Sequence, residues 1–191
     1  PHDSPERFRE LGVDVILGAG QFTDPQTFTV DGRQIRARHF VIATGSRAAI
    51  PVNNGIENTP YLTNEQIFDL REPVDSLIVI GGGPIGIEMA QAFGRLGSKV
   101  YVVQRGAQIL PKEDPDMAEV VAEQLRQEGV ELLTEHNPIM AEGTKGDIRL
   151  TLQDSAGNEK IINATHLLVA VGRRANIRSE EHTSELQSLR Q

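Results

Sequence analysis

The spacing of hydrophobic and polar positions changes character partway along the chain, and each regime predicts a different kind of element. The segment "SPERFRELG" (4–12) offers a capping serine, a proline suited to the first helical position and a glycine able to stop a helix. It predicts a short helix over residues 5–11. Short β-like runs follow: "VDVILG" (13–18), "QFTD" (21–24) and "TFTV" (27–30). Asp31-Gly32 lies between "TFTV" and "RQIRA", two runs that alternate as half-buried strands do, and predicts a two-residue hairpin turn. "HFVIATG" (39–45) is more continuously apolar and predicts a buried strand. A loop rich in Pro, Asn and Gly spans 51–60, and "NEQIFDL" (64–70) predicts a short helix.

From Ser76 the pattern becomes strand, helix, strand, helix, strand. The predicted strands are "LIVI" (77–80), "KVYVV" (99–103) and "VELLT" (130–134). The first intervening helix carries Ile85, Met89, Ala92, Phe93 and Leu96 on one stripe and ends at Gly97. The second, "DMAEVVAEQLRQEG", puts Met117, Val120, Val121 and Leu125 on one face and ends at Gly129. Such alternation predicts a parallel sheet with crossover helices. "DIRLTLQ" and "EKIINA" flank a Ser-Ala-Gly-Asn turn and predict a hairpin laid on that sheet, and "HLLVAVG" (166–172) reads as a last buried strand. The expected class is α/β: a Rossmann-type parallel sheet with a β-hairpin or meander, preceded by a small β segment.

Composition removes several function classes. A net charge of -8 argues against a nucleic-acid partner. The apolar runs are only four or five residues, too short to span a bilayer, and "PHDSPERF" has no signal-peptide pattern. No membrane partner and a cytoplasmic location are expected. There is no cysteine, so these residues supply no disulfide or thiolate, and the five scattered histidines predict no metal site. The first residue is Pro rather than Met, which suggests a chain that begins mid-protein. The polar segment "RSEEHTSELQSLRQ" (178–191) has no usable periodicity. Its first eleven residues match the in-frame translation of a common sequencing-library adapter, and it is expected to be a non-native tail.

The candidate chemistry sits in "GGGPIGIE". Gly81, Gly83 and Gly86 make G-x-G-x-x-G, with Gly82, Pro84 and Ile85 between them. The first glycine permits the tight turn, the second a close backbone approach to a pyrophosphate, and the third close helix–strand packing. The helix N-terminus adds free N–H groups and a positive dipole end. A lone fingerprint is weak, but this one follows a strand and opens an amphipathic helix that leads to a second strand, as dinucleotide binding requires. At the end of that second strand stand Gln104 and Arg105. An acidic side chain there would accept from the ribose of NAD, whereas an arginine pairs with the 2′-phosphate of NADP. NADP(H) is therefore expected over NAD(H); if Arg105 is only a solvated loop residue, NAD(H) is the ligand.

Four stretches, "HFVIATGSRAAIP", "VIGGGPIGIEMAQAFGRLG", "QILPKEDPDM" and "HLLVAVGRRANI", occur in an order and spacing that resembles the pyridine nucleotide–disulfide oxidoreductases, over residues 1 to about 177. The wording is most similar to the mercuric reductase and dihydrolipoamide dehydrogenase branch. The resemblance implies that residues 1–52 are part of an FAD domain, 53–73 a connection, 74–171 a whole NAD(P) domain and 172–177 the start of a return to the FAD domain. It also implies that Thr44, Gly45 and Ser46 lie close to the flavin and that Gly20 touches the FAD adenosine. Glu88 would pair with an upstream lysine beside the flavin ring, Gly172 would lie at the nicotinamide nucleotide and His136 would make an adenine-side contact. Plain alternatives exist: an ordinary turn at Thr44–Ser46, a helix-face carboxylate at Glu88 and a loop histidine at His136. The family's FAD fingerprint, redox cysteine pair and dimerisation domain are not in this sequence, so the expectation is an internal piece of a homodimeric enzyme. That enzyme would pass electrons from NAD(P)H through FAD to a disulfide, and on to a small-molecule, metal-ion or dithiol/disulfide substrate. Two rivals stay open at this point: a related flavoprotein reductase or oxidase without the disulfide, and a non-enzymatic nucleotide-binding module.

Overall fold

The computed structural model describes residues 4–51 and 54–177; the predicted tail at 178–191 lies outside them. In chain order the elements are α1 (Pro5–Glu10), β1 (Gly20–Asp24), β2 (Thr27–Val30), β3 (Arg33–Arg36), β4 (Ser46–Ala48), 3-10 turns at Ile56–Asn58 and Ile67–Asp69, β5 (Ser76–Ile80), α2 (Pro84–Arg95), β6 (Lys99–Val103), α3 (Pro115–Gln127), β7 (Glu131–Leu133), β8 (His136–Thr144), β9 (Asp147–Asp154), β10 (Glu159–Ala164), β11 (His166–Val169) and β12 (Arg173–Ala175). They divide into two compact units, one up to Ala43 and one from Thr44.

In the first unit, Ser4 caps α1 by accepting from the Arg7 N–H. The strands form an antiparallel sheet in the order β1-β2-β3. Asp31 and Gly32 both have positive φ, 46° and 81°, which is the backbone of the turn that matches strand twist. Phe22 stacks edge-on against Phe28 and Phe40, each at 4.9 Å between ring centroids. Two predicted strands are absent. "VDVILG" pairs with nothing regular, and Val13 and Leu17 are exposed. "HFVIATG" is likewise not a strand: Val41 is 91% exposed. A run that is apolar on both faces needs strands beside it and layers above and below, and no strand among the described residues pairs with it.

The second unit is a three-layer sandwich. Its centre is a parallel sheet in the order β11-β5-β6-β7. Alternation along β5 assigns the layers: Leu77 and Val79 face the helices with Ile87, Ala90, Ala122 and Leu125, while Ile78 and Ile80 face the other side. That other side is an antiparallel meander, β10-β9-β8, whose Ile148, Leu150 and Leu152 are fully buried against the sheet. The predicted hairpin is thus two strands of a three-stranded layer. β8, opening at His136 where a loop is expected, is the third. The predicted helix over 64–70 is a single 3-10 turn, Ile67–Asp69, with Ile67 buried.

Both helical stripes differ from expectation in the same way. On α2 the buried face is Gly86, Ile87 and Ala90, with Met89 and Phe93 beside it, while Leu96 is 80% exposed. On α3 it is Ala118, Ala122 and Leu125, while Met117 and Val120 are exposed. Small residues face the sheet because they let the helix axis come close. A hydrophobicity stripe gives Gly and Ala too little weight to find that face.

Glu128, just past α3, ties the two helices together. It accepts from Arg95 Nε at 3.1 Å and Nη2 at 2.7 Å, from Gln91 at 3.3 Å and from Gln124 at 2.7 Å. The Arg95 guanidinium, with the two amides, holds its carboxyl at about 2 instead of 4.5. A depressed carboxylate stabilises the fold above its unfolded-state value, and that contribution is lost as pH falls through the folded value. Glu128→Gln is therefore expected to lower the thermal midpoint at neutral pH. The gap to the wild type should close as pH falls from about 4.5 toward about 2. Thermal unfolding of both proteins across that range is the check, and a gap unchanged at its acid end would refute the assignment.

Candidate functional site

The carboxyl ends of β5, β6 and β11 open onto a cleft of about 890 Å³. The chain leaves β5 toward β6 on one side, and β11 lies on the other, so the cleft marks a topological switch point, where open α/β sheets bind ligands.

The glycine loop forms its floor. Gly81 has φ +112°, and its N–H donates to the Val103 carbonyl at 2.9 Å. A Cβ there would overlap the Ala170 carbonyl. A Cβ on Gly86 would overlap the Gly81 carbonyl, so that glycine serves helix–strand packing, beneath the cleft rather than in it. Gly83 is different: a Cβ there meets no protein atom within 4 Å. It leaves the backbone bare where a ligand can approach. Pro84 opens α2, which has no side-chain cap, so the N–H groups of its first turn remain available to an anion. This bare cradle at an uncapped helix start fits a dinucleotide pyrophosphate.

Gln104 and Arg105 stand beside it. The Gly82 N–H donates to Gln104 Oε1 at 3.0 Å. A backbone N–H requires an acceptor, so this bond fixes the orientation of the amide: the oxygen faces the glycine loop and the NH₂ remains as a donor. The backbone of Gln104 is held as well, its N–H on Leu133 O at 2.9 Å and its carbonyl accepting from the His136 N–H at 3.2 Å. Arg105 lines the cleft and forms no ion pair among the described residues. Lys112 and Arg174 also line it, against a single lining carboxylate, Glu113. In a chain of net charge -8 the cleft is locally cationic. Lys112 is not among the residues predicted from the sequence, although it lies inside "QILPKEDPDM".

The opposite wall is Ala48–Pro51, Asn54, Asn64 and the turn after β11. Gly172, at φ +124°, lines it and accepts from the Ala49 N–H at 2.9 Å.

Of the predicted residues, the cleft gathers Gly81, Gly82, Gly83, Pro84, Ile85, Gln104, Arg105 and Gly172. Others lie elsewhere. Glu88 is exposed on α2. His136 turns its Nδ1 to Thr134 O at 2.6 Å and does not line the cleft, whereas the next two residues, Asn137 and Pro138, do. Thr44, Gly45 and Ser46 join a separate small system. Thr44 Oγ1 donates to Asn176 O at 2.9 Å, the Gly45 carbonyl accepts from the Asn176 N–H at 3.0 Å, and Ser46 Oγ accepts from Arg173 Nε at 2.7 Å. Gly20 opens β1 in the first unit, where a Cβ would overlap the Phe28 ring; its glycine has a packing reason of its own.

Comparison with known proteins agrees with this geometry. A mercuric reductase of Bacillus cereus is 35% identical over 165 residues, covering 86% of this chain and 26% of the relative. A dihydrolipoyl dehydrogenase of Acholeplasma laidlawii is 33% identical, covering 91% of this chain and 52% of the relative. Among solved structures, the Cu(II) complex of the HOCl-induced flavoprotein disulfide reductase RclA from Escherichia coli superposes with a TM-score of 0.75 at 27% identity, over 91% of this chain and 40% of that one. The chain thus spans about a quarter to a half of the length of these relatives. The pyridine nucleotide-disulphide oxidoreductase profile matches residues 6–189, nearly the whole sequence, and the chain belongs to that family.

Proposed function

We propose that the cleft binds a nicotinamide dinucleotide, NADP(H) in preference to NAD(H), as the nucleotide site of an FAD-dependent oxidoreductase. The family is FAD-dependent and uses NAD(P)H. The observation that carries the NADP(H) reading is the pinned amide of Gln104. With Oε1 held by the Gly82 N–H, the residue offers the cofactor a donor, which suits a phosphate, and Arg105 beside it adds the charge. The uncapped start of α2 and the bare backbone at Gly83 hold the pyrophosphate, and Gly172 lets the opposite wall approach the nicotinamide half.

Bound there, the nicotinamide would supply a hydride for reduction of FAD, whose electrons the whole enzyme delivers to a redox disulfide. These 191 residues contribute no cysteine to that disulfide. Their own work is to bind, orient and discriminate the nucleotide. On this reading residues 74–171 are the NAD(P) domain, 1–52 belong to the FAD domain, 53–73 connect them and 172–177 lead back. Thr44, Gly45 and Ser46 belong to the flavin side, Gly20 to the FAD adenosine, His136 to the adenine side of the nucleotide and Glu88 to a lysine pair by the flavin. The substrate class is a small molecule, a metal ion or a dithiol/disulfide, and none of the cleft residues selects between these.

Calorimetric titration of the chain tests the proposal. One NADPH per chain is expected, with NADH bound roughly tenfold or more weakly, the usual worth of a charged hydrogen bond. Equal affinities would sink the phosphate preference, and no binding of either would sink the site.

A further inference from the structure

Leu110 has φ +49°, in the left-handed region that bulky side chains avoid. It is one of three described non-glycine residues with positive φ, and one of the others, Asp31, sits in an ordinary hairpin turn. The Leu110 conformation turns its N–H onto the Gly82 carbonyl, at 2.6 Å. The loop around it is tied down on every side. The Gly106 carbonyl accepts from the Glu135 N–H at 3.0 Å, Ile109 is buried in the core between sheet and helices, and the Leu110 carbonyl accepts from the Glu113 N–H at 2.9 Å. Asp114 then caps α3. Strain of this kind persists only where the surroundings over-determine it, and it concentrates at binding sites.

We propose that Leu110 is a positioning residue for the nucleotide site, a backbone latch that sets the orientation of the glycine loop. The inference rests on the dinucleotide reading of the cleft. Gly82 is gripped at both ends: its N–H by Gln104 Oε1 and its carbonyl by the Leu110 N–H. The C=O and N–H of one trans peptide point in opposite directions. Fixing the Gly82 carbonyl therefore turns the Gly83 N–H away from the loop and holds the bare Gly83 backbone in one presentation before any ligand arrives. The same latch places Lys112, two residues on, at the cleft. Arg105, Lys112 and the glycine loop then move as one body rather than as three independent contacts. The leucine side chain packs at the margin of the core, but the latch is made by its backbone.

Two substitutions separate these contributions. Leu110→Gly removes the side chain and adopts φ > 0 freely; Leu110→Val keeps most of the packing and resists φ > 0. If packing is what matters, valine is the milder change. A latch reverses the order in binding. Leu110→Gly is expected to bind NADPH within about twofold of the wild type, and Leu110→Val roughly fivefold or more weakly. Valine binding as well as glycine, or better, would overturn the proposal. Amide hydrogen exchange at residue 110, measured without nucleotide, reads the latch itself. Protection is expected in the wild type and Leu110→Gly and lost in Leu110→Val; no protection in the wild type would refute it. A wild-type chain that is protected there but binds neither NADPH nor NADH would instead refute the nucleotide reading.

Discussion

Arg105→Ala is expected to weaken NADPH binding by roughly 10- to 100-fold and NADH binding by less than about threefold, because a charge-assisted pair to phosphate is worth about 1.5–3 kcal/mol and NADH has no phosphate to lose. Gln104→Glu should act on the same discrimination from the other side. A glutamate keeps an oxygen for the Gly82 N–H, so the glycine loop retains its anchor. Its charge then repels a 2′-phosphate and offers an acceptor to a ribose hydroxyl. The double variant is expected to invert the preference, to NADH over NADPH. Titrations with both nucleotides decide it: parallel losses for NADPH and NADH in Arg105→Ala would show that the arginine serves the fold or the shared pyrophosphate, and the 2′-phosphate assignment would fail.

Gly81→Ala is expected to destabilise the second unit by about 3 kcal/mol, a sum of left-handed backbone strain and steric overlap, each worth about 1–3 kcal/mol. The φ of +112° resists any Cβ, and the Cβ would meet the Ala170 carbonyl, which belongs to backbone and cannot rotate away. For a protein of this size that corresponds to a fall of roughly 6–12 °C in thermal midpoint. Gly83→Ala makes the contrast. At φ -78° with no neighbour, it should change stability by less than about 0.5 kcal/mol while weakening NADPH binding, because its Cβ occupies the ligand's approach. Thermal unfolding and nucleotide titration of the two variants should dissociate. A Gly83→Ala chain that binds normally would mean the pyrophosphate does not approach there.

Much of this was legible in the sequence because it is local. The fingerprint glycines, the Pro84 helix start and the Asp31-Gly32 turn each depend on a few adjacent residues, and β6 falls on "KVYVV" as predicted. What the sequence concealed depended on partners far along the chain. The burial faces of α2 and α3 run through Gly86, Ala90, Ala118 and Ala122, residues that hydrophobicity barely registers but that a close-lying sheet selects. β8 escaped notice because His136, Asn137 and Pro138 look like a loop until β9 folds against them. "HFVIATG" misled in the opposite sense, since an apolar run describes a strand only where neighbours exist. At the site, Gln104 and Arg105 were identifiable from position alone. The orientation of the Gln104 amide, the bond of Leu110 to the glycine loop and the place of Lys112 at the cleft appear only when the loop after β6 is seen folded back on the loop after β5.

The pairing of β4 with β12 has a further consequence. Ala48 lies opposite Arg173 and Ser46 opposite Ala175, so the chain enters and leaves the whole stretch from Ala49 to Gly172 through two hydrogen-bonded neighbours. Arg173 reinforces the junction, bonding both the hydroxyl and the carbonyl of Ser46 and reaching Asn64 at 3.2 Å. A segment whose ends meet in this way can be spliced into a surface turn of a host without spreading the host's backbone. The stretch from Ala49 to Gly172 leaves and rejoins the rest of the chain through a doorway two strands wide.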